Sequence, residues 1–191
     1  METLGVQTRR AARIALVAGS FFFPNAAVRG QSPERTDPEV EIFMKIDGLK
    51  GPVVDRDHQG WIAVDSFNYG ISHPVGAEGK ADHKGLVLVK AVDKVSPLLY
   101  LRCTNGQPLD EVALEITRTA SDDVAVQLFR LGQATVTSIQ VSAHSGGKQA
   151  TERVTLRYES IAWTYIKMDP DTGSVISEVT MQWDPTEEDG S

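Results

Sequence analysis

The feature that most narrows the fold is an alternation of apolar and polar side chains with a period of two, which returns in short runs across residues 41–183. In the first run Ile42, Met44 and Ile46 point one way and Glu41, Lys45 and Asp47 the other, as in a half-buried strand. Gly48, Gly51, Pro52 and the charged group Asp55, Arg56, Asp57 and His58 break it, and an apolar, aromatic strand resumes over 61–71. Residues 72–84, with His73, Pro74, Gly76 and Gly79, read as an exposed loop. The strand after it, 85–92, is apolar on both faces (Leu86 and Leu88, Val87 and Val89), as a central strand would be.

The same period continues to the end of the chain. Val112, Leu114 and Ile116 alternate with Glu111, Glu115 and Thr117, and Val124, Val126 and Leu128 repeat the pattern. Val136 is out of phase with Ile139 and Val141, which a bulge near Thr137 or a division into two strands would absorb. After the Ala-His-Ser-Gly-Gly-Lys turn at 143–148, Val154, Leu156 and Tyr158 begin a strand whose phase slips by one at Ile161, Trp163 and Tyr165, predicting a bend near Ser160. Asp169, Pro170 and Gly173 mark a hairpin turn, and Val175, Val179, Met181 and Trp183 the returning strand. One helix interrupts this series. Ser96 reads as its N-cap, Pro97 as its first residue and Asn105-Gly106 as its stop, with Leu98, Leu99 and Leu101 expected to dock on the sheet.

Eight or nine short strands with one flanking helix and no βαβ rhythm predict a mainly β fold, an antiparallel barrel or closed sandwich. Closure would remove exposed edges. A chain of 191 residues suffices for one such domain, expected over 41–184. Before it, Arg9, Arg10 and Arg13 precede an apolar run at 14–23 and then Pro24, Asn25, Ala26 and Ala27, the order of a secretory signal. Residues 1–27 therefore read as a signal-like or disordered leader, or as the product of a misassigned start. The run is about ten residues, short of the roughly 20 a membrane helix needs, so no stable membrane insertion is expected. Residues 28–40 read as a linker and 185–191, with Glu187, Glu188 and Asp189, as an acidic tail.

Composition excludes several functions. A net charge of −7 with dispersed basic residues argues against nucleic acid, whose affinity comes from Lys and Arg on phosphates. Cys103 is the one cysteine, so there is no internal disulfide or cysteine zinc site, and its apolar helix suggests a buried structural thiol. His58, His73, His83 and His144 are scattered without metal-ligand spacing and read as solvated loop histidines. Asp55, Asp57 and His58 lack the downstream glycine and glutamate of a calcium loop. No Gly-x-Ser-x-Gly elbow or phosphate cradle occurs, so no catalytic, cofactor-binding or metal-binding residue is expected.

Three stretches together resemble one family. The first is the Lys-Ile-Asp-Gly strand end at 45–48, with the Lys-Gly pair, the Asp/His loop, Gly60-Trp61 and an aromatic-polar-aromatic-Gly strand end. The second runs from Val92-Asp93-Lys94-Val95-Ser96-Pro97-Leu98-Leu99 to Asn105-Gly106, and the third joins Ser145-Gly146-Gly147 to Thr151-Glu152-Arg153-Val154-Thr155-Leu156. They are similar to the haemolysin-coregulated protein family, the tube protein of type VI secretion systems. Residues 1–40 have no counterpart in that family, and Met181-Gln182-Trp183-Asp184 stands where a Gly-Trp-Asp pattern is expected.

The resemblance implies a β-barrel subunit that assembles into stacked hexameric rings, meets sheath and tip proteins, carries small effector proteins in the lumen and is secreted with them. It suggests Phe67, Asn68 and Tyr69 as lumen positions and His73, Gly76, Lys80, His83 and Lys84 as loop contacts to the neighbouring ring. Two other readings remain at this stage. One is a stand-alone periplasmic or secreted binding module, favoured by the leader. The other is a metal-dependent hydrolase using Asp55, Asp57, His58 and His83.

Overall fold

The computed structural model describes residues 39–73, 81–120 and 123–185. The expected leader, most of the linker, Gly76, Lys80 and the acidic tail beyond residue 185 lie outside them. Nine strands and one helix follow in the order β1 (Glu39–Ile46), β2 (Ile62–Ala63), β3 (Ser66–Ser72), β4 (Asp82–Ala91), α1 (Ser96–Asn105), β5 (Leu109–Ala120), β6 (Asp123–Ser142), β7 (Thr151–Arg157), β8 (Ser160–Met168) and β9 (Val175–Trp183). The first strand thus takes two residues, Glu39 and Val40, from the expected linker.

Every pairing is antiparallel, so the fold is mainly β as the alternation predicts. The sheet runs β2-β1-β5-β6-β7-β4-β3, with β8 added to β6 and β9 to β8. Strand β6 organises it. Of its 20 residues, those up to Ala134 pair with β5 on one side and, from Val124 to Gly132, with β8 on the other, and those from Thr135 onward pair with β7. Two irregularities bend it: Gln133 at φ 49°, and a register shift between Val136 and Ser138 that is the slip expected near Thr137. Its partner breaks at Tyr158 and Glu159, the bend expected near Ser160, so β7 and β8 follow β6 as one bent ribbon.

The expected strand over 61–71 is two strands. Ile62 and Val64 are buried, and the next inward side chains are Phe67 and Tyr69, so the period of two is lost between Val64 and Phe67. The corner is held by Val64 N–H to the Ile42 carbonyl at 3.0 Å and Asp65 N–H to the Val89 carbonyl at 2.8 Å. The chain there steps from β1, next to one end of this order, to β4, next to the other. Among the described residues β2 and β3 share no ladder, and the sheet remains open between them.

The core lies between the inward faces, with Met44, Leu114, Leu131, Leu86, Leu88 and Leu156 among its fully buried members. In the first half of β6 the core positions are Ala125, Phe129 and Leu131, while Val124, Val126 and Leu128, the alternation expected from sequence, are only half-buried on the opposite face. Both sets are apolar, so period alone does not say which faces inward.

Helix α1 ends as expected at Gly106, whose left-handed φ of 67° lets its N–H reach the Arg102 carbonyl. Its start differs. Ser96 does not cap a helix amide, because its hydroxyl is engaged elsewhere, and the cap position is Val95. Leu99 is fully buried and Leu98 partly, but Leu101 is 54% exposed, since a single helical stripe cannot hold all three. Cys103 is half-buried against the core.

The loop after β1 is shaped by close backbone approach. Gly51 donates to the Gly60 carbonyl, and a Cβ there would sit 2.1 Å from the Trp61 carbonyl oxygen, so no larger residue fits.

Candidate functional site

The densest polar cluster is buried where β4, β7 and α1 meet. Lys90 follows Leu86 and Leu88 on the inward face of β4, Glu152 precedes Val154 and Leu156 on that of β7, and register sets the two directly opposite. Both side chains are fully buried, with Lys90 Nζ 2.8 Å from Glu152 Oε1 and 3.0 Å from Asp93 Oδ2. The ammonium also donates to the Ala91 carbonyl at 2.8 Å. Ser96 Oγ donates to Glu152 Oε1 at 2.8 Å and accepts from the Asp93 amide, and Tyr100 donates to Glu152 Oε2 at 2.8 Å. Burial and the neighbouring Glu152 carboxylate hold the Tyr100 phenol above its ordinary pKa, so it stays a donor. Burying charges is costly unless they are paired and hydrogen-bonded. Here pairing is complete enough to fasten the helix to two strands. The residue types allow no nucleophile activation here: the lysine is ion-paired and enclosed.

A second cluster lies where β4 and β9 diverge from the β7–β8 ribbon. His83 stacks on Trp183 with ring centroids 4.0 Å apart and accepts or donates at Nδ1 with Tyr158 OH at 2.8 Å. Tyr158 donates to Tyr69 OH, which also accepts from Trp163 Nε1 at 3.1 Å. Desolvation lowers the His83 pKa, partly opposed by Asp82, and desolvation raises that of Tyr158. Both groups are thus biased neutral. His83 and Lys84 belong to β4, not to the expected loop, and His83 is not a solvated histidine. Lys84 is exposed and pairs with Asp82.

His58 is the other histidine that differs from expectation. It lies in the loop but is mostly buried, stacked on Phe43 at 4.0 Å with 14° between planes, edge-on to Trp61, and bonded through Nε2 to Glu115 Oε1 at 2.9 Å. Asp55 Oδ1 is 3.8 Å from its Nδ1, and backbone amides, that of Asp57 first, keep the Asp55 carboxyl below the usual range. The hydrolase reading required His83 beside these groups; it is instead held by Tyr158 and Trp183. Among the described residues no cluster of three or more His, Cys, Asp or Glu is placed to hold a metal ion. His73 and His144 are exposed.

Of the three lumen positions on β3, Phe67 and Tyr69 turn inward, edge-on to Phe129 at 5.9 and 5.2 Å, and only Asn68 faces solvent. The residues that sequence reasoning missed are Lys90 and Glu152. Their signal was the same period that located the strands, a charge in phase with buried leucines on each of two strands.

At the opposite extreme is β9. Among the described residues it pairs only with β8, and Val175, Ile176, Val179 and Met181 are 55 to 66% exposed, with the exposed Tyr165 of β8 opposite Val179.

Fold and site together define a class of antiparallel β module whose single helix is clamped by a buried Lys–Glu pair. The family model described as "Type VI secretion system effector, Hcp" matches residues 43–165, and the chain belongs to that family. It is 26% identical over 134 residues to Protein hcp1 of Pseudomonas aeruginosa, covering 66% of this chain and 83% of that protein. It is 27% identical over 128 residues to the Major exported protein of the same organism, covering 60% and 74%. A solved structure of a type six secretion system protein matches with a TM-score of 0.65 at 23% identity, over 78% of this chain and 97% of that one. That likeness bears on the fold. Among the described residues no helix is long and apolar enough to cross a membrane.

Proposed function

We propose that the chain is the tube subunit of a type VI secretion system: copies close into hexameric rings, rings stack, and the hollow tube carries small effector proteins out of the cell with it. The observation that carries this reading is the family match across 43–165, which includes all three stretches of resemblance. In this reading the step at Val64 and Asp65 closes the sheet into a barrel over 41–184. Asn68, held outward by its inward-facing neighbours Phe67 and Tyr69, faces the lumen and the cargo. The connection containing His73, Gly76 and Lys80, with Lys84 at its exposed end, meets the neighbouring ring, whereas His83 serves its own subunit. Sheath and tip proteins are the other partners, no nucleic acid or cofactor is involved, and the subunit has no catalytic role.

Native mass spectrometry of protein collected from culture medium tests this. Hexamers that vanish from the medium when the secretion machinery is disabled are expected. A monomer exported independently of that machinery, with its N-terminus cleaved near Ala27, would overturn the reading in favour of a stand-alone binding module.

A further inference from the structure

We infer that the cleft between the end of β1 and the loop over 47–61 binds a small aromatic carboxylate, with Lys45 and Lys50 taking its charge and Trp61 and Leu49 its ring. The site lies within one subunit and does not depend on the assembly proposed above. The cleft has a volume of about 490 Å³, within the roughly 300–1,000 Å³ of small-molecule pockets. Its walls are fixed by backbone: Leu49 N–H donates to the Ile46 carbonyl at 3.1 Å, Gly51 N–H to the Gly60 carbonyl at 2.6 Å, and Val53 N–H to the Trp61 carbonyl at 3.0 Å. A cleft tied in this way exists before a ligand enters, which spares the cost of ordering it.

The charge of the cleft follows from register. Lys45 points to the outer face of β1, directly opposite Ala113 of β5. Its diagonal neighbours on β5 are Glu111 and Glu115, the carboxylates a long side chain there can reach. Both are engaged elsewhere, Glu111 with Arg130 at 3.2 Å and Glu115 with His58 Nε2 at 2.9 Å and the Thr117 hydroxyl. The Lys45 ammonium is left over the Trp61 ring, 6.0 Å from its centroid. Lys50, in the loop, is exposed and forms no ion pair among the described residues. In a chain of net charge −7, a cleft lined by two lysines and no carboxylate is a local reversal of sign, and it attracts an anion.

The ring is selected by the rest of the lining. Trp61 and Leu49 are half-buried and present apolar surface to the cleft. Gly48 and Gly60 line it too, at φ 73° and 80°, and a Cβ on either would stand in open space, so no side chain narrows the cleft there. A flat ring fills such a space and packs on the indole. Two separate ammoniums, with no arginine fork beside them, match the single charge of a carboxylate more closely than a polyphosphate.

Isothermal titration calorimetry of the full chain with 2-naphthoate tests this. One saturable site per chain is expected. Naphthalene-2-carboxamide, which has the same shape without the charge, should bind about tenfold more weakly, the loss of one charge-assisted hydrogen bond. K45M and K50M should each weaken naphthoate by a similar factor, whereas K94M, at an exposed lysine before α1, should leave it unchanged. The carboxamide comparison uses the unaltered chain, so it decides the matter even where a lysine variant melts early. The absence of saturable naphthoate binding overturns the site. Carboxamide binding as tightly as naphthoate overturns the carboxylate, and naphthoate affinity unchanged in both K45M and K50M, or lowered equally by K94M, overturns the location.

Discussion

The seam between β4, β7 and α1 and the hairpin of β8 and β9 are opposites. In the seam two opposite charges are fully buried; in the hairpin four large apolar side chains of one strand stand in solvent. Each inverts the usual partition of polar and apolar groups, and each identifies what its region is for. Lys90 and Glu152 have all they need within one chain, so their role ends at the subunit. Val179 and Met181 have little to cover them among the described residues. The three family-like stretches divide accordingly. Asp93, Ser96 and Glu152 come from two of them and meet in the seam, which makes that resemblance a statement about how the subunit is built.

The comparison breaks most visibly at the seam. Glu152→Ala leaves Asp93 as the one carboxylate on Lys90 and takes away the acceptor of the Ser96 and Tyr100 hydroxyls, and should cost about 3–5 kcal/mol in urea unfolding. The double replacement of Lys90 by Met and Glu152 by Leu should recover part of it, since the two fully buried charges go together while Asp93 loses its lysine and keeps the Val95 N–H. A single variant costing as little as a surface change would mean that the seam does not fasten the helix. Next in size, Leu99→Ala should cost about 2–5 kcal/mol, while Leu101→Ala on the same helix stays within about 0.5 kcal/mol. Gly51→Ala, which crowds the Trp61 carbonyl, should cost about 1–3 kcal/mol by the same measurement.

A pH effect follows from His83. Its folded pKa lies below the ordinary 6.5, so the unfolded chain binds the proton more readily. Stability present above pH 6.5 should be lost as pH falls from there through the lower folded value, and His83→Gln should remove that step from the melting profile. The loss from Asp55, Asp82 and Asp169, all depressed below 3.8, falls in a separate window below that pH. Smallest of all is the hairpin: V179K/M181K should change the unfolding free energy of the single subunit by no more than about 0.5 kcal/mol.

Much of the fold was legible because strand period is a local property. The slips at Thr137 and Ser160 announced real bends, and Asn105-Gly106 announced a real helix end. The corner at Val64 and Asp65 carried the same kind of slip, from Ile62 and Val64 to Phe67 and Tyr69, but no glycine or proline marked it. Ser96 looked like a cap because its type suits one; only the distant Glu152 redirects its hydroxyl. His58 and His83 were misread as solvated because their partners, Phe43 and Glu115, Tyr158 and Trp183, lie on other strands. Lys90 and Glu152 needed no tertiary knowledge, only the inference that a charge in a buried phase must have a partner.

Sedimentation equilibrium of the wild-type chain at high concentration tests the central claim most directly. The account predicts a single species of six times the monomer mass; a monomer across the whole concentration range would contradict it.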